Sequence, residues 1–136
     1  MAAALFDAGR NAFAQGGIVW KASGGSTIKC ALLSSGYTVN LTTHANLSDI
    51  TGGAIVATSA ALTLTDSSAG TCDASDVTFS SVTSGSTVTQ FILYKDTGTA
   101  STSTLISHDD AATGLPVTTN GGDITITWPA GGIFTL

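Results

Sequence analysis

The sequence predicts an all-β protein: one antiparallel β-sandwich or jelly-roll-like domain over residues 1–136, with a short N-terminal helix. Three observations favour this class. Short runs of β-branched and aromatic residues alternate with polar residues, and Gly and Ser separate the runs. All nine acidic residues are aspartate, which favours turns, whereas glutamate, a good helix former, is absent. A chain of 136 residues suits one domain.

The clearest strand pattern lies within residues 114–128. Ile124, Ile126 and Trp128 alternate with threonines, which is the period of a strand with one buried face. Residues 120–122 read Asn-Gly-Gly and supply the positive φ angles that a tight turn requires. We therefore expect the two halves of this segment to pair as a hairpin, with Trp128 in the core.

One helix is predicted, over residues 2–15. Leu5, Phe6 and Phe13 contribute to an apolar stripe, and a Gly-Gly pair follows as a stop signal. Gly9 lies inside the segment and weakens the prediction, because glycine is a poor helix former.

The chain thus divides into a helical segment or arm, residues 1–16, and a β core, residues 17–136. The continuous apolar run within residues 88–95 predicts a central strand that is buried on both faces. A single helical turn is predicted within residues 47–50. Further strands are expected at residues 18–20, 27–33, 54–57, 62–64, 77–79, 105–107 and 133–136.

The charge balance excludes two classes of partner. Charged residues make up only 10% of the chain, the net charge is −5, and there are four basic residues. Nucleic-acid binding and polybasic membrane attachment both need more Lys and Arg than this. We also expect neither a secretory signal nor a membrane span. A surface of hydroxyls instead of charges suggests that neighbouring subunits cover part of it.

No pattern in the sequence is typical of an enzyme or a metal site. Residues 108–110 read His-Asp-Asp and form the densest polar cluster, which we interpret as a solvated loop because adjacent residues of an extended chain face opposite sides. The other histidine is His44, and the carboxylates of Asp73 and Asp76 do not fit a calcium loop. We predict no catalytic, cofactor-binding or metal-binding residues and no enzymatic activity.

The cysteines and the aromatic residues have structural interpretations. Cys30 and Cys72 allow one disulfide or two separate buried thiols, and we favour the thiols. Trp20 and Trp128 could be platforms for sugars, but we favour a place in the core or at an interface.

Four stretches of the sequence together have a distinctive order and spacing. They are Ala4-Leu5-Phe6 with Gly17-Ile18-Val19-Trp20, Ile28-Lys29-Cys30-Ala31-Leu32-Leu33, Tyr94-Lys95-Asp96-Thr97-Gly98, and residues 114–124, Gly-Leu-Pro-Val-Thr-Thr-Asn-Gly-Gly-Asp-Ile. In this order and at this chain length they resemble a group of small virion proteins of tailed bacteriophages, often described as capsid decoration or cement proteins. The resemblance spans nearly the whole chain and depends on turns and strands, not on a catalytic signature.

The resemblance implies a β-sandwich or jelly-roll-like subunit on the outer surface of a capsid, often as a trimer. Its partners would be the major capsid protein and copies of itself, and it would be made in the cytoplasm of the bacterial host. It implies no cofactor and no catalytic residue. An aliphatic residue would be expected where this chain has Cys30.

Two hypotheses about function remain at this point. The first is a structural protein that decorates or cements the capsid through residues 1–15 and 133–136, and its interface residues would be Leu5, Phe6, Phe13, Ile133, Phe134 and Leu136. The second is a tail- or fibre-associated binding module that recognises a host surface ligand. The second hypothesis requires exposed aromatic residues, and Trp20, Tyr37 and Tyr94 are the candidates.

Overall fold

The computed structural model describes residues 3–112 and 114–136. The chain is mostly β, and its strand pairs are antiparallel, which confirms the predicted class. The helix α1 covers Asp7–Ala14. The described strands are β1 Ala4–Leu5, β2 Ile28–Leu33, β3 Ile55–Thr58, β4 Thr71–Cys72, β5 Val77–Phe79, β6 Thr87–Val88, β7 Gln90–Lys95, β8 Leu105–Asp109, β9 Val117–Thr118, β10 Ile124–Ile126 and β11 Phe134–Thr135.

The largest unit is a five-stranded sheet with the strand order β1-β8-β7-β2-β3. Strand β7 lies at its centre, and five of its six residues are buried, as the continuous apolar run predicts. Side chains of β2 and β7 alternate between two cores on the two faces of the sheet. One core includes Ile28, Cys30, Leu32, Phe91 and Leu93, and the other includes Ala31, Leu33, Ile92 and Tyr94.

Different parts of the chain cover the two faces. Three two-stranded ladders, β5–β10, β4–β11 and β6–β9, supply residues to the first core, together with α1. The second core is closed by Phe6 and by the connection between β2 and β3, which includes Tyr37 and Ile50. The first covering layer is three separate ladders, so the structure supports an antiparallel all-β fold without establishing a sandwich or jelly-roll topology.

The predicted hairpin is wrong in its pairing. The turn forms, with Gly121 at φ +85° and the Asn120 side chain accepting a hydrogen bond from the Gly122 N–H. The strands on its two sides have different partners, because β9 pairs with β6 and β10 pairs with β5. The predicted burial is nevertheless confirmed, since Trp128 lies in the first core with its ring against Phe91.

The N-terminal segment departs from the prediction at its start. The helix begins at Asp7, and the residues before it form β1, which pairs with β8 at the edge of the sheet. Residue 2, where the predicted helix starts, lies outside the described residues. The segment is therefore tied to the β region by strand pairing and by Phe6, which is completely buried.

Three other predictions have definite outcomes. Residues 18–20 are not a strand, although Ile18 and Trp20 are buried and Val19 is exposed, as a strand pattern requires. The predicted helical turn is present at Leu47–Asp49. The short strand after residue 132 is present as β11.

Gly9 allows α1 to lie directly on strand β8. A Cβ atom at this position would lie 2.8 Å from the Ile106 Cα and 2.8 Å from the Leu105 carbonyl oxygen. Both atoms belong to the backbone of a buried strand, so neither can move aside cheaply. The glycine that weakens the helix prediction is thus the residue that permits the helix to pack.

We expect Gly9→Ala to destabilise the protein by about 1–3 kcal/mol, because the new methyl group overpacks the contact with β8. Alanine is the better helix former, so an isolated helix would gain stability from the same change. The control is Gly17→Ala, where the nearest atom to an added Cβ is 3.5 Å away. Urea denaturation measures the free energy of unfolding of both variants. A Gly9→Ala variant as stable as Gly17→Ala would contradict this packing.

Candidate binding surfaces

An open groove lies between the two ends of the chain. Its volume is about 560 Å³, and it is lined by Leu5, Arg10, Phe13, Ala14, Thr135 and Leu136. Three of the six residues that the sequence predicts as an interface, Leu5, Phe13 and Leu136, therefore come together in one place. Leu136 is 55% exposed, the most exposed large apolar side chain among the described residues.

The walls of the groove are fixed by pairing to the rest of the fold. Strand β1 pairs with β8, and α1 follows it directly. On the other side β11 pairs with β4, and the Leu136 N–H donates a 2.8 Å hydrogen bond to the Gly70 carbonyl oxygen. The ring of Phe134 lies beneath, in edge contact with Phe13 at 6.1 Å and with Trp20 at 5.4 Å between ring centroids.

The groove carries little net charge. Arg10 is its one cationic lining residue, and the guanidinium forms an ion pair with Asp7 one helical turn away. Both side chains are substantially exposed, at 60% and 39%, so the pair contributes little to stability. The remaining lining is apolar apart from the Thr135 hydroxyl, which also contacts the Thr71 hydroxyl at 3.1 Å. Such a surface suits the apolar side chains of a partner.

The other three predicted interface residues lie elsewhere. Phe6, Ile133 and Phe134 are at most 5% exposed and pack within the chain's own cores. Phe6 comes directly after β1, Ile133 comes directly before β11, and Phe134 belongs to β11. In this conformation none of the three offers a surface to a neighbour. In this structure the apolar character of these three residues is used to build the subunit, so the groove residues Leu5, Phe13 and Leu136 carry the interface prediction.

The predicted solvated loop at residues 108–110 is also wrong. His108 and Asp109 belong to strand β8 and are 5% and 6% exposed, whereas Asp110 is exposed. The register explains their surroundings, because His108 pairs with Ile92 and Asp109 pairs with Phe91. They therefore face opposite cores, as the alternation of an extended chain requires.

His108 takes part in a buried polar network. Its Nε2 lies 2.6 Å from the Gln90 Oε1, while the Gln90 Nε2 donates to the carbonyl oxygens of Ser34 and Tyr37. Because those two carbonyls fix the amide orientation, Gln90 presents its oxygen, and His108 Nε2 carries the proton. Burial lowers the pKa of His108, with partial compensation from Asp110 and Asp109. Burial thus favours the neutral imidazole, and the hydrogen bond to Gln90 gives a structural explanation for this histidine.

His44, the second histidine, lies in the connection between β2 and β3 and contacts Tyr37, a residue of the second core. Its Nδ1 lies 2.7 Å from the Tyr37 hydroxyl, and burial raises the pKa of Tyr37 to about 12. The ring of Tyr37 lies 6.3 Å from the ring of His108. Within residues 3–112 and 114–136 there is no group of three His, Cys or acidic residues placed to hold a metal ion.

A second concave site lies on the Asp109 side of β8. It is a cavity of about 270 Å³, lined by Phe91, Asp109, Ala111, Ala112, Ile126, Thr127, Trp128, Pro129 and Ile133. It combines a buried carboxylate with two aromatic rings. Its lining residues come from three separate segments of the chain, so no local sequence pattern indicates the cavity.

The three aromatic residues predicted as candidates for ligand recognition and the two cysteines are buried. Trp20, Tyr37 and Tyr94 are at most 6% exposed. Cys30 and Cys72 are buried free thiols, as predicted, and burial raises the pKa of Cys72 to about 11 and that of Cys30 further. A thiol held in its neutral form is a poor nucleophile.

A scan against protein-family models finds no matching family, and a search of curated proteins finds no matching relative. Among the described residues no helix has the length and apolar character to cross a membrane.

The buried imidazole makes stability depend on pH. Since the folded state lowers the pKa of His108 below its ordinary value of about 6.5, the unfolded chain takes up the proton first. The free energy of unfolding should be largest above that value and fall as the pH drops through it. Asp49 and Asp96, whose pKa values are lowered, matter only below about pH 4.

Urea denaturation at several pH values between about 5 and 8 measures this dependence. We expect His108→Gln to flatten the profile, because the amide does not titrate. A wild-type profile that is already flat across this range would contradict the buried, neutral imidazole.

Proposed function

We propose that this protein is a non-enzymatic structural component of a bacteriophage virion, which decorates or cements the capsid from its outer surface. The observation that carries the proposal is the groove between the chain ends, an exposed apolar surface on a subunit with little charge. The resemblance of nearly the whole chain to capsid decoration proteins gives the groove an occupant, the major capsid protein.

The physical character of the groove suits such a role. Its apolar lining gains free energy from burial, at about 25 cal/mol per Å² of apolar surface removed from water. One small contact of this kind is weak, but a shell presents many identical sites, and multivalent attachment adds avidity without new chemistry. Contacts between neighbouring copies would add to the same effect, and a trimer on the shell is the arrangement that the resemblance implies.

The alternative, a tail or fibre module that recognises a host ligand, receives less support. Recognition of a glycan needs exposed aromatic rings. The three candidate residues for that role, Trp20, Tyr37 and Tyr94, are all buried. No observation on the described surface favours this function over the first.

The copy number per particle tests the proposal directly. Quantitative mass spectrometry of gradient-purified virions should find this protein at a copy number close to that of the major capsid subunit, because a shell offers one class of site many times over. A handful of copies would contradict decoration and move the protein to the tail or to a vertex. Absence from the particle would contradict any virion role.

The groove itself is tested by Leu136→Asp, which places a charge at its most exposed apolar position. Because this side chain is 55% exposed, the change should leave folding intact. We expect at least a tenfold loss of binding to purified shells, about 1.4 kcal/mol per site.

Val19→Asp is the matched control, since Val19 is 41% exposed and lies outside the groove. Co-sedimentation of each variant with shells that lack the protein provides the measurement. Equal binding of the two variants would remove the groove from the proposal.

A further inference from the structure

The cavity beside strand β8 is lined by the carboxylate of Asp109, which forms no salt bridge with any of residues 3–112 and 114–136. We propose that this cavity binds a cationic group on an apolar stem, such as the alkylammonium or guanidinium group of a Lys or Arg side chain or of a free amine. The proposal concerns the isolated protein and does not depend on the proposed virion role. A volume of about 270 Å³ suits one long side chain or a molecule of that size.

The carboxylate of Asp109 faces the cavity. Asp109 pairs directly with Phe91 in the β7–β8 ladder, so the two side chains leave the sheet on the same face. Residue 109 is only 6% exposed, and its Oδ1 accepts one hydrogen bond, 2.9 Å, from the Ala111 N–H. No other hydrogen bond to this carboxylate occurs among the described residues.

Three of the chain's four basic residues have polar partners elsewhere. The salt bridges of the described residues join Arg10 to Asp7 and Lys29 to Asp96, and Lys95 donates to the Gly17 carbonyl oxygen. None of these ion pairs involves Asp109. A ligand that brings a positive charge into the cavity would form a charge-assisted hydrogen bond with this carboxylate, whereas a neutral ligand would not and an anionic ligand would be repelled.

Two aromatic residues, Phe91 and Trp128, line the same cavity. Phe91 and Trp128 meet edge to face with 5.6 Å between their centroids. Trp128 is held by two hydrogen bonds, from its indole Nε1–H to the Ser75 carbonyl oxygen at 2.9 Å and from its backbone N–H to the Asp76 carboxylate at 3.1 Å. Aromatic rings attract cations through their quadrupole, and rings fixed beforehand lose little entropy on binding.

The remaining lining suits an apolar stem. Ile126, Pro129 and Ile133 contribute aliphatic surface to the same cavity. Burial of a stem of several methylene groups against this lining would be favourable, because apolar surface leaves water. The lining thus combines apolar side chains with one carboxylate, which suits the apolar stem and charged end of a lysine or arginine side chain.

The hydrogen bond to Ala111 does not by itself explain an aspartate here. That bond closes the turn after β8 and uses one oxygen as an acceptor. An asparagine could accept the same hydrogen bond through its Oδ1. The negative charge is therefore the feature that the turn leaves unexplained, and Asp109→Asn removes that charge while it keeps the acceptor.

Titration of the ¹⁵N-labelled protein with n-butylammonium, followed by NMR, tests the proposal. We expect saturable shifts at the Trp128 indole N–H and the Ala111 amide, and at least about tenfold weaker binding of n-butanol, the uncharged isostere. Asp109→Asn should weaken butylammonium binding by at least about tenfold and leave butanol binding unchanged. Asp110→Asn, which neutralises the exposed neighbouring carboxylate, is the matched control and should bind as wild type does.

Three results would overturn the proposal: no saturable shift, equal affinities for the amine and the alcohol, or equal effects of Asp109→Asn and Asp110→Asn. The comparison of amine with alcohol uses the wild-type protein, so it remains decisive even if Asp109→Asn does not fold. A capped Gly-Lys-Gly peptide and its acetyl-lysine form distinguish the two sources of the cation. Binding of the unmodified peptide supports a partner's side chain, and binding of butylammonium without the peptide supports a free amine.

Discussion

Strand β7 must be covered on both faces, and this requirement organises the rest of the chain. Five of its six residues are buried, and it lies between β8 and β2 at the centre of the sheet. One layer cannot bury both faces, so the ladders and α1 cover one side while the connection between β2 and β3 covers the other. Both faces of β7 are therefore used for packing. The groove lies beside the edge strand β1, whereas the cavity is lined by Phe91 of β7 and Asp109 of β8 together with residues of the covering segments.

The features that sequence reasoning predicts well are those that local pattern determines. The apolar run that becomes β7 needs burial wherever the chain goes, and alternation alone places Trp128 in the core. The helical turn at Leu47–Asp49 follows from its own residues, since the Asp49 carboxylate accepts hydrogen bonds from the N–H groups of Ala45 and Asn46. Each of these depends on a few neighbouring residues, which the sequence shows directly.

Pairing between distant segments is what local pattern cannot determine. The Asn120-Gly121 turn forms, but a turn fixes only the direction of the chain after it. Burial of Ile126 and Val88 in the first core decides that β10 joins β5 and β9 joins β6. Gly9 is a similar case. The absence of a side chain at this position is required by the contact with Ile106, almost a hundred positions along the chain, and not by the helix that contains the glycine.

The two concave surfaces differ in what they can contribute to recognition. The groove at the chain ends offers apolar area, which gives free energy but discriminates weakly among apolar partners. The cavity at Asp109 offers one carboxylate among apolar side chains, and the selectivity that we propose for it comes from that charge. Strand alternation is what makes the cavity possible, since it sends His108 into a satisfied polar network and the adjacent Asp109 to the opposite face. The same polar cluster therefore supplies one residue that stabilises the fold and one whose charge the fold does not use.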